Sequence, residues 1–157
     1  MTPVSDINEY VGALKASPRM GDQVIYHIVL PDHPAVPAMP EQGFPAPIRE
    51  VLAACGIESL YRHQARAIDR IRNGDHVVTA TPTASGKTLI YNLPVLEKVL
   101  NNPASRALYL FPLKALAQDQ LRTFTAMAGR SPALQRATAA IYDGDTSDWH
   151  RRRIREN

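Results

Sequence analysis

Gly86, Lys87 and Thr88 follow one another at the close of the stretch VVTATPTASGKT. The chemistry of that order is phosphate binding. Glycine lets the backbone approach an anion closely, lysine neutralises the β and γ oxygens of a triphosphate, and a hydroxyl can sit on the Mg²⁺ that bridges them. The full phosphate-cradle pattern has glycine five residues before Gly86, where this chain has Thr81. That exchange costs only turn freedom, because the close approach to phosphate is needed around Ala84 to Lys87. Ala84 is the sharper departure, since its Cβ has to tolerate the backbone angles of the loop. Thr81, Pro82, Thr83, Ala84, Ser85, Gly86, Lys87 and Thr88 are therefore the candidate nucleotide site. Lys87 and Thr88 are its catalytic pair, and Thr88 is a partial Mg²⁺ site. The competing reading, an ordinary helix start with a solvated Lys87, is disfavoured by the strand pattern before the loop and the helix pattern after it.

Three further places carry groups suited to ligands. The amide of Gln64 offers one donor and one acceptor, a match for adenine N7 and N6 that guanine cannot make, so it would select ATP. Taken alone, Gln64 is more simply a surface glutamine on a helix. Lys114 follows the apolar run LYLF and Pro112, where the end of a strand meets the start of a helix and α/β sheets bind their ligands. Backbone amides and a positive charge there suit a nucleic-acid phosphate. In YDGDT, Gly144 allows close backbone approach and Thr146 offers a hydroxyl to a phosphate, with a helix N-cap an equal reading of Thr146.

The elements that must position these groups can be read from periodicity. Residues 5 to 15 start with Ser5 as an N-cap and set Ile7, Tyr10, Val11 and Leu14 on one helical face. QVIYHIVL alternates weakly and is rich in β-branched residues, as a strand would be. Between Pro31 and Pro47 stand six of the 13 prolines. Pro31, Pro34, Pro37 and Pro40 recur every third residue, the repeat of a polyproline II helix. This stretch reads as a strap lying on the domain that follows, with an SH3-type ligand as the minor alternative. PIREVLAACG and YRHQARAIDRIRNG are helices closed by Gly56 and Gly74, the first with proline in its opening turn. HVVTA, RALYLF and TAAIYD read as short buried strands. KTLIYNLPVLEKVLN, open to a kink at Pro94, and LKALAQDQLRTFTAMA read as the helices between them. Such alternation predicts parallel strands with right-handed crossovers in a three-layer α/β sandwich.

Composition narrows the class. At 157 residues, 45% hydrophobic and 21% charged, the chain suits one globular domain. A net charge of +3 permits a nucleic-acid partner without requiring one. The cluster Arg151, Arg152, Arg153 and Arg155 is first of all a solvated helix face. Cys55, the one cysteine, excludes an internal disulfide, and the five histidines lack metal-ligand spacing. There is no basic flank leading an apolar run, and no stretch of about 18 apolar residues, so the expected location is cytoplasmic.

In order and spacing these segments resemble the motifs of superfamily 2 helicases. TPTASGKT resembles the first motif, where Ala or Thr often replaces glycine. GIESLYRHQARAI resembles the Q motif, with Gln64 twenty-three residues before Lys87. LYLFPLKALAQDQ resembles motif Ia, and YDGDT the motif after it. Together they are most similar to the DEAD/DEAH-box DNA helicases of the MrfA/YprA type, over residues 56 to 157. The resemblance implies a P-loop NTPase fold of the RecA-like kind. It implies ATP and Mg²⁺ as cofactors, DNA as partner, single-stranded or forked, and DNA repair as setting. It adds Tyr61 to Gln64 as an adenine-side residue, and makes Pro112, Lys114, Gln118, Gly144, Asp145 and Thr146 the nucleic-acid contacts. Leu113 stands where family members commonly have Thr.

These helicases also use an acidic box, D-E-x-[DH], and a second RecA-like domain that brings arginine fingers. The dipeptide Asp-Glu occurs nowhere in this chain. The expectation is a proline-rich N-terminal extension over residues 1–47, then the first part of RecA-like domain 1 over residues 48–157. This would be the N-terminal part of an ATP-dependent DNA helicase, inactive in hydrolysis by itself. The rivals are a DEAD-box RNA helicase, disfavoured because that class more often shows PTREL than PLKAL, and a truncated protein that binds without turnover.

Overall fold

A computed structural model of the chain describes residues 6–30, 34, 36–82 and 85–156. It divides into two compact units, residues 1–34 and 35–157. In the first unit α1 spans Ile7–Ala16. Ser5 lies outside the described residues, and Asp6 fills the N-cap position, its carboxylate accepting the Asn8 N–H at 3.1 Å. A single 3-10 turn, Gly21–Gln23, follows.

The second unit holds the helices expected from periodicity: α2 (Ala46–Ala54), α3 (Arg62–Arg72), α4 (Lys87–Asn101) and α5 (Lys114–Ala128). It ends with α6 (Asp148–Glu156), the arginine-rich segment. Pro94 lies inside α4 without ending it. The apolar stripes of α2, α3, α4 and α5 meet in one core. Ile48, Val51, Leu60, Ile68, Leu93 and Leu96 are at its centre, with Phe124 and Met127 arriving from α5. Fully burying such a side chain contributes about 1.5–3 kcal/mol. The core therefore fixes α4, and with it the phosphate loop at the start of that helix.

The proline-rich stretch is clipped onto this unit. β1 (Pro37–Ala38) pairs antiparallel with β2 (Leu60–Tyr61), Pro37 opposite Tyr61 and Ala38 opposite Leu60. Proline has no N–H to give, so the neighbouring bond runs from the Arg62 N–H to the Val36 carbonyl at 2.9 Å. The Glu41 N–H reaches the Asp69 carboxylate at 3.1 Å, and Pro40 and Phe44 are buried. This is the arrangement of a strap. Pro31 lies outside the described residues.

The expected strands need correction. Segments 23–30, 76–80, 106–111 and 138–143 form no ladder, and β1 with β2 is the one sheet among the described residues. Alternation and β-branching report that a segment suits a buried pleated surface, whereas a strand also needs a neighbour in register, and no described segment supplies one. The apolar side chains stand in solvent as a result, Val78 at 96% and Leu108 at 84% exposure. No helix among the described residues is long and apolar enough to cross a membrane.

A charged pair, Arg72 and Glu97, sits at the edge of the packing. Arg72 donates to both carboxylate oxygens of Glu97, at 2.6 and 3.0 Å, and to the Gly43 carbonyl at 2.6 Å, with its guanidinium 4.9 Å from the Phe44 ring centre. It joins strap, α3 and α4. Removing one partner of a buried pair strands the other charge and costs about 3–5 kcal/mol, whereas replacing both with apolar groups is often neutral. Arg72→Met is therefore expected to lower the urea unfolding midpoint strongly, and Arg72→Met with Glu97→Leu to recover most of the loss. A double variant less stable than the single would contradict this account.

Candidate nucleotide and nucleic-acid site

The phosphate loop is built around Gly86. Its φ of 70° is left-handed, and a Cβ there would lie 2.3 Å from Gln64 Nε2. Glycine is thus required twice, by backbone angle and by the side chain against it. Gly86 is the N-cap of α4, which has no side-chain cap, so amides of the first helical turn remain open to an anion. Thr83 and Ala84 lie outside the described residues. Around them, Thr81 Oγ1 and Ser85 Oγ are 2.6 Å apart, closing the loop across its mouth.

Lys87 points into this loop. Its Nζ donates to the Pro82 carbonyl at 2.6 Å, the Thr81 carbonyl at 3.0 Å and Ser85 Oγ at 3.2 Å. An ammonium has three hydrogens, and the loop takes all of them. A triphosphate would exchange these neutral acceptors for charged oxygens, the stronger partners. The donor set therefore fits a polyphosphate. For Mg²⁺ this chain offers the Thr88 hydroxyl, and no group of three or more acidic, His or Cys residues gathers for a metal among the described residues. Mg²⁺ commonly arrives on phosphate oxygens with one or two protein ligands.

Gln64 is 2% exposed and so is no surface glutamine. Its Oε1 accepts the Tyr61 N–H at 2.8 Å, completing the first turn of α3 as an N3 residue does. Its Nε2 donates to the Gly86 carbonyl at 2.9 Å and lies 3.4 Å from the Ser85 carbonyl. The amide thus ties helix α3 to the phosphate loop. His63, which the sequence reading passed over, adds a second tie through Nε2 to the Ser85 carbonyl at 3.1 Å. It also stacks on Tyr61, with ring centres 5.8 Å apart. Its signal was its place beside Gln64 in a segment already under suspicion.

The second cluster joins residues thirty-one apart. Lys114, first residue of α5, pairs with Asp145 of the YDGDT segment. Both are exposed. The Asp145 bond holds the Lys114 ammonium above its usual range. Asp143 accepts the Asp145 N–H at 2.9 Å, and this bond, followed by the Thr146 hydroxyl, holds its carboxyl below the usual range. Thr146 does not cap α6. Its Oγ1 accepts the Asp143 N–H at 2.9 Å and closes the loop, while Ser147 takes the capping place, its Oγ 3.4 Å from the His150 N. Gly144 has open space where a Cβ would stand, so packing within the chain makes no demand for glycine there. Pro112, two residues before Lys114, and Gln118, one turn after it on α5, are both exposed.

Arg151 is the second residue that the sequence reading missed. Its Nε donates to the Thr146 carbonyl at 2.8 Å and its Nη2 to the Asp143 carbonyl at 2.9 Å. Its guanidinium lies 5.2 Å from the Tyr142 ring centre. One arginine of a run first read as a solvated face thus braces the YDGDT loop from α6. Its spacing of eight residues from Asp143 is visible in the sequence, but no periodic signal marks it.

Comparison with known proteins identifies the family. Residues 61–157 match the DEAD/DEAH box helicase family. The uncharacterized ATP-dependent helicase YprA of Bacillus subtilis (strain 168) is 39% identical over 150 residues, which is 96% of this chain and 19% of that protein. The ATP-dependent helicase HRQ1 of Saccharomyces cerevisiae is 44% identical over 69% of this chain and 10% of its own length. The chain thus spans about a fifth or less of these relatives. The crystal structure of the DUF1998 helicase MrfA bound to DNA superposes with a TM-score of 0.76 at 38% identity, covering 98% of this chain and 21% of that one. A second MrfA structure, bound to DNA and AMPPNP, gives 0.70 at 41% identity over 79% of this chain and 17% of that one.

Gln64→Ala removes the ties to Tyr61 and Gly86 together. Buried donors and acceptors left without partners cost about 1–3 kcal/mol, so a lower melting temperature is expected, along with weaker binding of a fluorescent ATP analogue. Unchanged values for both would show that the loop does not depend on this amide.

Proposed function

This chain belongs to the DEAD/DEAH box helicase family, and we propose on that premise that it is the leading part of an ATP-dependent DNA helicase. It supplies the phosphate loop, the adenine-side residues and the first nucleic-acid contacts of RecA-like domain 1. The observation that carries this reading is the meeting of Gln64 with the Gly86 carbonyl, which brings the Q-like segment and the Gly-Lys-Thr loop into one site. ATP enters with its triphosphate on the α4 N-terminus, Lys87 on the β and γ oxygens, and Thr88 on the accompanying Mg²⁺. Tyr61 is exposed beside this loop and offers a ring face to the base. Gln64 stands on the adenine side, its amide matching the donor and acceptor of the base edge.

Nucleic acid lies along the other cluster. Lys114, Gln118 and the backbone at Pro112 face phosphates from the α5 side, and Gly144, Asp145 and Thr146 from the loop that Arg151 braces. DNA is favoured over RNA by the DNA helicases among the relatives, including the MrfA structures with bound DNA. On this reading the whole protein is an ATP hydrolase acting on DNA, with single-stranded or forked DNA as its substrate and the cytoplasm as its location, a reading supported by the ATP-dependent helicases among the relatives. The 157 residues contain no Asp-Glu pair to hold Mg²⁺ and orient water, so hydrolysis needs groups beyond them.

Two measurements test the reading. ATP turnover is expected to be DNA-stimulated in the full-length protein, and absent both from these 157 residues alone and from full-length Lys87→Ala. Near-normal turnover in Lys87→Ala would remove the phosphate-loop assignment. Single-stranded DNA binding is expected to show little sequence preference and to weaken as salt rises, because phosphate contacts dominate. Affinity independent of salt would exclude the proposed contacts.

A further inference from the structure

Between the nucleotide loop and the helix proposed to face DNA runs a chain of three polar side chains. Tyr91, one turn into α4 from Thr88, has its hydroxyl 3.3 Å from Thr88 Oγ1 and 2.7 Å from Gln120 Oε1 of α5. A phenol has one hydrogen. Gln120 Oε1 can only accept, so that hydrogen goes to Gln120 and the Tyr91 oxygen is left to accept from Thr88. A Thr88 oxygen bound to Mg²⁺ keeps its hydrogen and loses a lone pair to the metal. Donation to Tyr91 is then the role left to the hydroxyl in this direction.

The ring of Tyr91 is held for this. It meets Tyr109 edge-on, with centres 5.6 Å apart at 73°. Burial pushes the Tyr109 phenol far above its usual range, with Tyr91 adding to the shift, so it stays a donor, here to Asn92 Oδ1 at 3.1 Å. Asn92 Nδ2 in turn reaches Met127 Sδ of α5 at 3.7 Å. Two polar ties therefore join α4 to α5, and the one through Tyr91 includes the hydroxyl of the nucleotide site. Gln120 lies six residues beyond Lys114 on α5, about 9 Å along the helix.

We propose that Tyr91 is the residue through which Mg²⁺-nucleotide and nucleic-acid binding are coupled: metal on Thr88 fixes the direction Thr88 to Tyr91 to Gln120, and thereby holds α5 and Lys114 in the DNA-binding position. This rests on the helicase reading above. Coupling of this kind is reciprocal, so bound DNA tightens nucleotide by the same factor. Tyr91→Phe tests it, because the ring and its packing on Tyr109 remain and one hydroxyl is lost.

The experiment measures the affinity of the full-length protein for a fluorescent single-stranded DNA, by anisotropy, with and without AMPPNP and Mg²⁺. In the wild type the nucleotide should tighten DNA about fivefold or more. In Tyr91→Phe that factor should fall below about twofold, with nucleotide-free DNA affinity and melting temperature near wild type. Gln120→Ala should give the same loss, and the double variant no more than either alone, as expected of groups in one chain. Binding of both ligands with coupling intact in Tyr91→Phe overturns this inference alone. A wild type that binds neither nucleotide nor DNA overturns the helicase reading, and the inference with it.

Discussion

The bond from Gln64 to the Gly86 carbonyl is the constraint on which the rest of the site depends. A phosphate loop is a stretch of backbone whose amides must converge on an anion, and such a stretch has little reason to hold its shape by itself. Here the carbonyl side of the loop is occupied by Gln64 Nε2 and His63 Nε2. The carbonyls of Thr81 and Pro82 are occupied by Lys87. With these four carbonyls occupied, the amides at the start of α4 are left for a ligand. Burial gives the bond its worth, since an amide shielded from water has no alternative partner of equal quality.

Much of this was legible in the sequence, and the rest was not, for identifiable reasons. Helices α2 to α5 announced themselves through 3.6-residue periodicity and glycine stops, because the same side chains that make the pattern make the core. The place of Lys87 at the start of a helix, just after a glycine, was legible because the order Gly-Lys-Thr follows a strand-like run and opens a helical one. Gln64 stands out in the sequence as an amide in the Q-like segment, yet its bonds to Tyr61 and Gly86 depend on how α3 lies across the loop, a long-range fact with no local signature. The strands misled in a different way. HVVTA and RALYLF have the composition of buried strands, but a ladder is a property of two segments, and composition describes one at a time.

Arg72 and Arg151 show why charge runs are hard to interpret. Both stand among other arginines, in RIR and in RRRIR. One is packed against Phe44 and Glu97 and the other braces two carbonyls of a loop. Arg70 and Arg152 beside them are exposed. A planar guanidinium carries five donors in a fixed fork, so one arginine can bridge acceptors on separate elements. What separates structural from solvated arginines is which carbonyls come within reach, and that is decided by the fold.

The clip between β1 and β2 has a mechanical consequence. Tyr61, paired with Pro37, is also the residue whose N–H rests on Gln64, and Arg62 is bonded to Val36. The strap therefore grips the chain one step before the helix that steadies the phosphate loop. Such a short two-rung contact is loaded in shear when residues 36–38 are displaced along the strap. One helical turn separates this contact from Gln64. Displacement of the strap therefore pulls on the first turn of α3, where Gln64 meets the Gly86 carbonyl.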